Sequence, residues 1–84
     1  MGAGARRLYD WLAPQRMPVT VRPAEDVDLL RNMVAAGLLR ADIPPPVIDR
    51  RDGLVEQPPA VVLALTPEGR RWRATLYAGP AFMG

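Results

Sequence analysis

Val61-Val62-Leu63-Ala64-Leu65-Thr66-Pro67-Glu68-Gly69-Arg70-Arg71-Trp72 reads as a buried strand that runs directly into a capped helix. The five apolar residues Val61 to Leu65 are too short a run for a core helix and suit a strand bounded by a turn signal. Thr66 is a good N-cap, and Pro67 fills the first helical position, where a missing N–H costs nothing. The helix started in this way is predicted to reach about Tyr77, with Trp72 and Leu76 on one face. The tail, Gly79 to Gly84, is predicted to be irregular.

Upstream of that strand, residues 24–36 carry a helical pattern. Glu25, Asp26 and Asp28 sit in its first turns, where the helix dipole favours negative charge, and Pro23 marks its start. Val27, Leu30 and Val34 form the expected core stripe, with Leu29 and Met33 adjoining. Gly37 is placed as a left-handed stop. Leu38 to Ile43 then reads as a strand, antiparallel to Val61–Leu65. The loop between them opens on Pro44-Pro45-Pro46, closes on Gln57-Pro58-Pro59, and carries the turn signal Asp52-Gly53. That turn seats a small hairpin, Val47–Arg50 against Leu54–Glu56. Nearer the N-terminus, residues 4–13 form a first helix, with Ala5, Leu8 and Leu12 on one face and Tyr9 and Trp11 beside it. Pro14 ends that helix, and Pro18 to Arg22 reads as a brief edge strand.

The order of helix, Ala36-Gly37-Leu38-Leu39, strand, wing with Asp49-Arg50-Arg51, strand and Leu65-Thr66-Pro67-Glu68-Gly69-Arg70 resembles bacterial winged-helix regulators of the MarR and PadR kind over residues 24–74. The expected fold is α+β: a small winged-helix-like domain of about three helices with a two- or three-stranded antiparallel sheet, one domain over residues 1–84. The resemblance implies that helix 24–36 enters a DNA major groove while the wing, residues 44–59, touches the backbone. Under that reading the DNA contacts are Arg31, Asn32, Arg50 and Arg51. The chain departs from the family pattern in having only one helix before the groove-reading one.

Charge argues against the groove. Residues 24–43 hold two Arg against four acids, and residues 44–60 two Arg against three acids, so the helix and wing that should meet phosphates are both net acidic. The positive charge lies at the two ends. Residues 1–23 hold four Arg against one Asp, and residues 61–84 three Arg against one Glu. All five aromatic residues, Tyr9, Trp11, Trp72, Tyr77 and Phe82, lie there as well. Aromatic residues mixed with Arg are the composition of interface anchors. Arg6, Arg7, Trp11, Arg70, Arg71, Trp72, Arg73 and Tyr77 are therefore the candidate partner interface, and in winged-helix regulators the terminal helices commonly form the dimer contact, as the resemblance implies. The plainer alternative is that Trp11 and Trp72 simply pack helix against helix with the arginines solvated.

Composition narrows the chemistry. The 84 residues include no Cys, His, Ser or Lys, the types that supply most nucleophiles, general bases and metal ligands. A carboxylate pair of the glycosidase kind is the one enzyme class left formally open, and it needs a cleft that a chain of this size is not expected to build. No enzyme activity, cofactor, metal or small-molecule substrate is predicted. Every apolar run is interrupted by Arg, Asp, Glu or Pro well before the roughly 18–20 residues that cross a bilayer, and the N-terminus lacks the apolar run of a signal peptide. A cytoplasmic protein without membrane contact is expected, its partner a second copy or another protein, with duplex DNA as the alternative.

Overall fold

The computed structural model describes residues 3–78, so the expectation of an irregular tail at 79–84 lies outside the described residues. The elements are α1 (Ala3–Leu12), β1 (Val19–Val21), α2 (Ala24–Ala35), β2 (Leu39–Asp42), β3 (Val47–Ile48), β4 (Val55–Glu56), β5 (Ala60–Leu65) and α3 (Pro67–Ala78). β1, β5 and β2 form an antiparallel sheet in that order, and β3 and β4 form a separate two-stranded hairpin. The domain is α+β, as the sequence predicts.

Local chemistry explains the element ends. α2 stops in a Schellman turn: Gly37 has φ 76°, its N–H donates to Val34 O at 2.9 Å, and Leu38 N–H donates to Met33 O at 2.9 Å. A left-handed residue at this point turns the chain sharply enough for Leu38 and Leu39 to fold back under α2, where both are buried. α3 begins as Thr66 requires. Its hydroxyl accepts from Gly69 N–H at 3.0 Å and donates to Gly37 O at 2.5 Å, so one side chain caps α3 and ties it to the end of α2. Gly53, with φ 71°, closes the hairpin turn. In the same turn Asp49 accepts from Arg51 N–H at 2.8 Å and Asp52 from Leu54 N–H at 3.0 Å.

The strand register carries one irregularity with a clear purpose. Leu39 pairs with Leu65 and Arg40 with Ala64, but Ala41 pairs with Val62, so β5 spends one extra residue at Leu63. Strict alternation would send Val62 and Leu65 to opposite faces. The bulge puts both on the core side and turns Leu63 outward, where it is exposed. On the other side of β5, Val19 pairs with Val62 and Val21 with Ala60, which makes β5 the centre of the sheet.

Helices α1 and α2 cover this sheet. The core is Ala5, Leu8, Tyr9 and Leu12 from α1, Val27, Leu30 and Met33 from α2, and Val19, Val21, Leu38, Leu39, Ala60 and Val62 from the sheet and its approach. One sequence expectation is corrected here. Val34 is 38% exposed, whereas Met33, read as adjoining, is fully buried. The buried stripe steps by three residues at each turn, from 27 to 30 to 33, and such rows incline across the helix surface. The core therefore drifts away from Val34 before α2 ends.

α3 contributes no fully buried large side chain, and docks instead through a close backbone approach at Gly69. A Cβ on Gly69 would stand 1.9 Å from Leu38 O and 2.8 Å from the Tyr9 hydroxyl oxygen. Only glycine lets the first turn of α3 lie this close to the start of β2. Trp72 is half-buried against the core, whereas Leu76, expected on the same face, lies outside at the surface.

Candidate interaction surface

The terminal aromatic and Arg residues separate into a set with partners inside the chain, of which Arg6 and Tyr77 are nonetheless exposed, and an outward set. Between α1 and α3, Asp10 accepts from Arg73 Nε at 2.9 Å and from the Tyr77 hydroxyl. The Arg6 guanidinium lies 4.8 Å from the centre of the Tyr77 ring, and that of Arg73 lies 5.3 Å from it, both within cation–π range. Tyr9 and Trp72 meet edge to face, their ring centres 5.4 Å apart at 79°. Arg6, Trp72, Arg73 and Tyr77 thus act within the chain, holding α3 against α1. A concavity of about 500 Å³ beside them is lined by Tyr9, Arg70, Arg73 and Tyr77 among others. Arg71 pairs with Glu68 one turn back on exposed α3, an arrangement worth a few tenths of a kcal/mol, about 0.3–0.5.

The electrostatics of this junction follow from its contacts. The Tyr77 hydroxyl and the Arg73 guanidinium, in that order, hold the Asp10 carboxyl below its ordinary range, and Asp10 in turn raises Arg73. A carboxylate lowered in the folded state adds stability above its unfolded pKa of about 3.9, and loses it as pH falls through the lower folded value. The denaturation midpoint should therefore fall below pH 4. In Asp10→Asn part of that acid-side loss should be missing, which urea titrations at pH 7 and pH 3 would show.

Burial pushes the Tyr9 phenol up, against a smaller opposing pull from Arg70 and Arg73. Its hydroxyl is buried without a hydrogen-bond partner among the described residues. Such a group carries its desolvation cost uncompensated. Tyr9→Phe is expected to leave stability unchanged or raise it by about 1 kcal/mol. A clear loss of stability in a chemical melt would mean that the hydroxyl has found a partner.

Trp11 and Arg7 form the outward set. They stand one turn apart on α1, and Trp11 is 52% exposed. Beside them runs a groove of about 320 Å³ lined by Arg7, Leu8, Trp11, Val21, Pro23 and Asp26. Trp11 falls here because Ala5, Leu8, Tyr9 and Leu12 occupy the core face of a 3.6-residue repeat, which leaves position 11 on the flank.

The residues proposed for DNA contact are dispersed. Arg31 is held by Asp28 on its own helix and by the side-chain oxygen of Gln57. Asn32 is exposed on α2, and Arg50 and Arg51 are exposed at the hairpin turn. Gln57 was no candidate in the sequence, yet it organises the base of the β3–β4 hairpin. Its amide donates to Pro44 O at 2.8 Å and to Pro58 O at 3.1 Å while its oxygen receives Arg31.

Sequence reasoning also missed the apolar character of the hairpin. Val47, Ile48, Leu54 and Val55 are 54–67% exposed. The signal lay in the flanking prolines: they lack the N–H groups needed to continue a ladder, so the hairpin stands off the main sheet and its apolar residues find no layer to cover them.

Among the described residues no helix is long and apolar enough to cross a membrane. No cluster of three or more metal-ligating side chains occurs among them either. Comparison with protein-family models, curated proteins and solved structures returns no match.

Proposed function

We propose that this domain works without catalysis, as a winged-helix-like module that self-associates in the cytoplasm, and that the outer face of α1 is its contact. The observation that carries the reading is Trp11. Tyr77 is as exposed as Trp11 but is engaged by Asp10, Arg6 and Arg73, and Tyr9 and Trp72 pack on each other, whereas the Trp11 side chain has no such partner among the described residues and lies half in solvent beside Arg7 and an apolar groove. Exposed tryptophan with neighbouring Arg is the composition of interface hot spots, where one side chain carries about 2 kcal/mol or more. The order α2, Gly37 stop, β2, hairpin, β5, α3 supports the winged-helix likeness.

Sedimentation velocity over a range of concentrations tests this. The wild-type chain should associate, and Trp11→Ala should weaken association by about tenfold or more. A chain that stays monomeric up to about 1 mM overturns the reading.

A DNA-binding role is the second reading, favoured by the exposure of Arg50 and Arg51 at the tip of a projecting hairpin. It predicts a salt-dependent shift of duplex DNA that disappears in Arg50→Ala/Arg51→Ala. Glu25 and Asp26 in the first turn of α2 weigh against it, because that end would point at base edges in a groove flanked by phosphates, where acids are repelled.

A further inference from the structure

We propose that the outer face of α1 docks into the groove beneath the β3–β4 hairpin of a second copy of this chain, and that two copies make the contact reciprocally about a two-fold axis. This inference rests on self-association through α1 and names the surface that α1 meets. The groove, about 660 Å³, runs between the hairpin and the start of α2. Its apolar lining includes Val47, Leu54 and Val55, and its charged lining is net acidic, Asp49, Asp52 and Glu56 against the single cation Arg22.

Chemistry matches the two surfaces. Trp11 supplies an exposed aromatic anchor for the uncovered apolar residues of the hairpin, and Arg7 supplies a cation for its acids. Among the described residues none of Arg7, Asp49, Asp52 or Glu56 belongs to an ion pair. Asp49 and Asp52 each use one carboxylate oxygen on their own turn, which leaves the other for an incoming guanidinium. The segment charges agree in sign, since residues 1–23 are net positive and residues 44–60 net negative.

Position makes the contact reciprocal. The link from β1 to α2 separates the two surfaces: Val21 and Pro23 line the groove beside α1, while Arg22 and Ala24 line the groove beneath the hairpin. Complementary surfaces that adjoin on one molecule meet twice when a two-fold axis passes between them, and such an interface closes at two copies rather than growing into a filament. The hairpin gains as well. A lone two-stranded hairpin is marginal in water, and covering its apolar side supplies the missing layer.

Charge reversal of the full-length chain, read by sedimentation velocity with far-UV circular dichroism as the folding control, is the test. Arg7→Glu and Glu56→Arg should each weaken the dimer by about tenfold or more, because each sets like charges together. Mixing the two variants should restore wild-type association, since each α1 then faces a hairpin of opposite sign. The doubly reversed chain should dimerise on its own for the same reason. Failure of both rescues, or a Glu56→Arg protein that dimerises like wild type, overturns the hairpin contact. Should Arg7→Glu alone weaken the dimer, self-association through α1 stands while the docking surface named here falls. A wild-type chain that is monomeric throughout removes both.

Discussion

Gly69→Ala is expected to lower folding stability by about 3 kcal/mol, at the upper end of the cost of overpacking. The new methyl group would meet Leu38 O at 1.9 Å and the Leu38 carbonyl carbon at 2.8 Å. Both are backbone atoms at the start of β2, so no rotamer change can relieve the contact. α3 has to back away, and in doing so it strains the Thr66 bridge to Gly37 and the Tyr9–Trp72 contact. A domain of 84 residues has a total stability of roughly 4–12 kcal/mol, so this loss is a large share of it. The melting temperature should fall by roughly 12–24 °C. Thermal melts followed by far-UV circular dichroism would read this directly, and a drop of only a few degrees would mean that α3 is not seated against Leu38.

Met33→Ala should cost about 3 kcal/mol, whereas Val34→Ala, its neighbour on α2, should cost well under 1 kcal/mol. Met33 is fully buried in the core shared by α2 and the sheet, and its removal leaves a cavity that close-packed neighbours only partly collapse to fill. Val34 stands at the rim with more than a third of its surface in water. The pair is an internal control, because both substitutions lie in one helical turn and both replace an apolar residue by a good helix former. Urea unfolding of the two variants separates them. Equal losses would place the core stripe where helical periodicity alone puts it.

That contrast marks the limit of reading periodicity. Val27 and Val34 lie seven residues apart on one face of an ideal helix, and a sequence holds nothing more about α2 by itself. The angle at which α2 crosses the sheet decides between Val34 and Met33, and that angle comes from how the helix and β2 pack together. The bulge at Leu63 is a similar case. The run Val61 to Leu65 is apolar throughout, so no alternation was present to show that Val62 and Leu65 share a side.

The candidate interface residues were legible by type rather than by arrangement. The concentration of Arg and aromatic residues in the terminal segments was visible at once, and those segments form α1 and α3. Which of them find partners within the chain depends on Asp10, a single carboxylate that gathers Arg73 and Tyr77 from 63 and 67 residues away in sequence. Nothing local marks Asp10 for that role. The hairpin was expected, but the exposure of its apolar residues was not: four apolar residues flanking a turn look like core until the prolines around them are seen to lift the hairpin off the sheet.

The sequence by itself determined the order of the elements and the signals that stop α2, start α3 and turn the hairpin. Thr66 with Pro67, Gly37, and Asp52 with Gly53 act through their own backbone neighbourhoods, and such short-range effects need no knowledge of what packs nearby. The absence of Cys, His, Ser and Lys removed most catalytic constellations outright. Tertiary structure alone decided which apolar residues are core, how closely α3 approaches β2 at Gly69, and which of the terminal arginines are already occupied. Those outcomes depend on contacts between residues far apart in the chain, where packing geometry and long-range pairing outweigh local preference. On that ground Trp72 packs against Tyr9 as part of the fold, while Trp11 stands half in solvent.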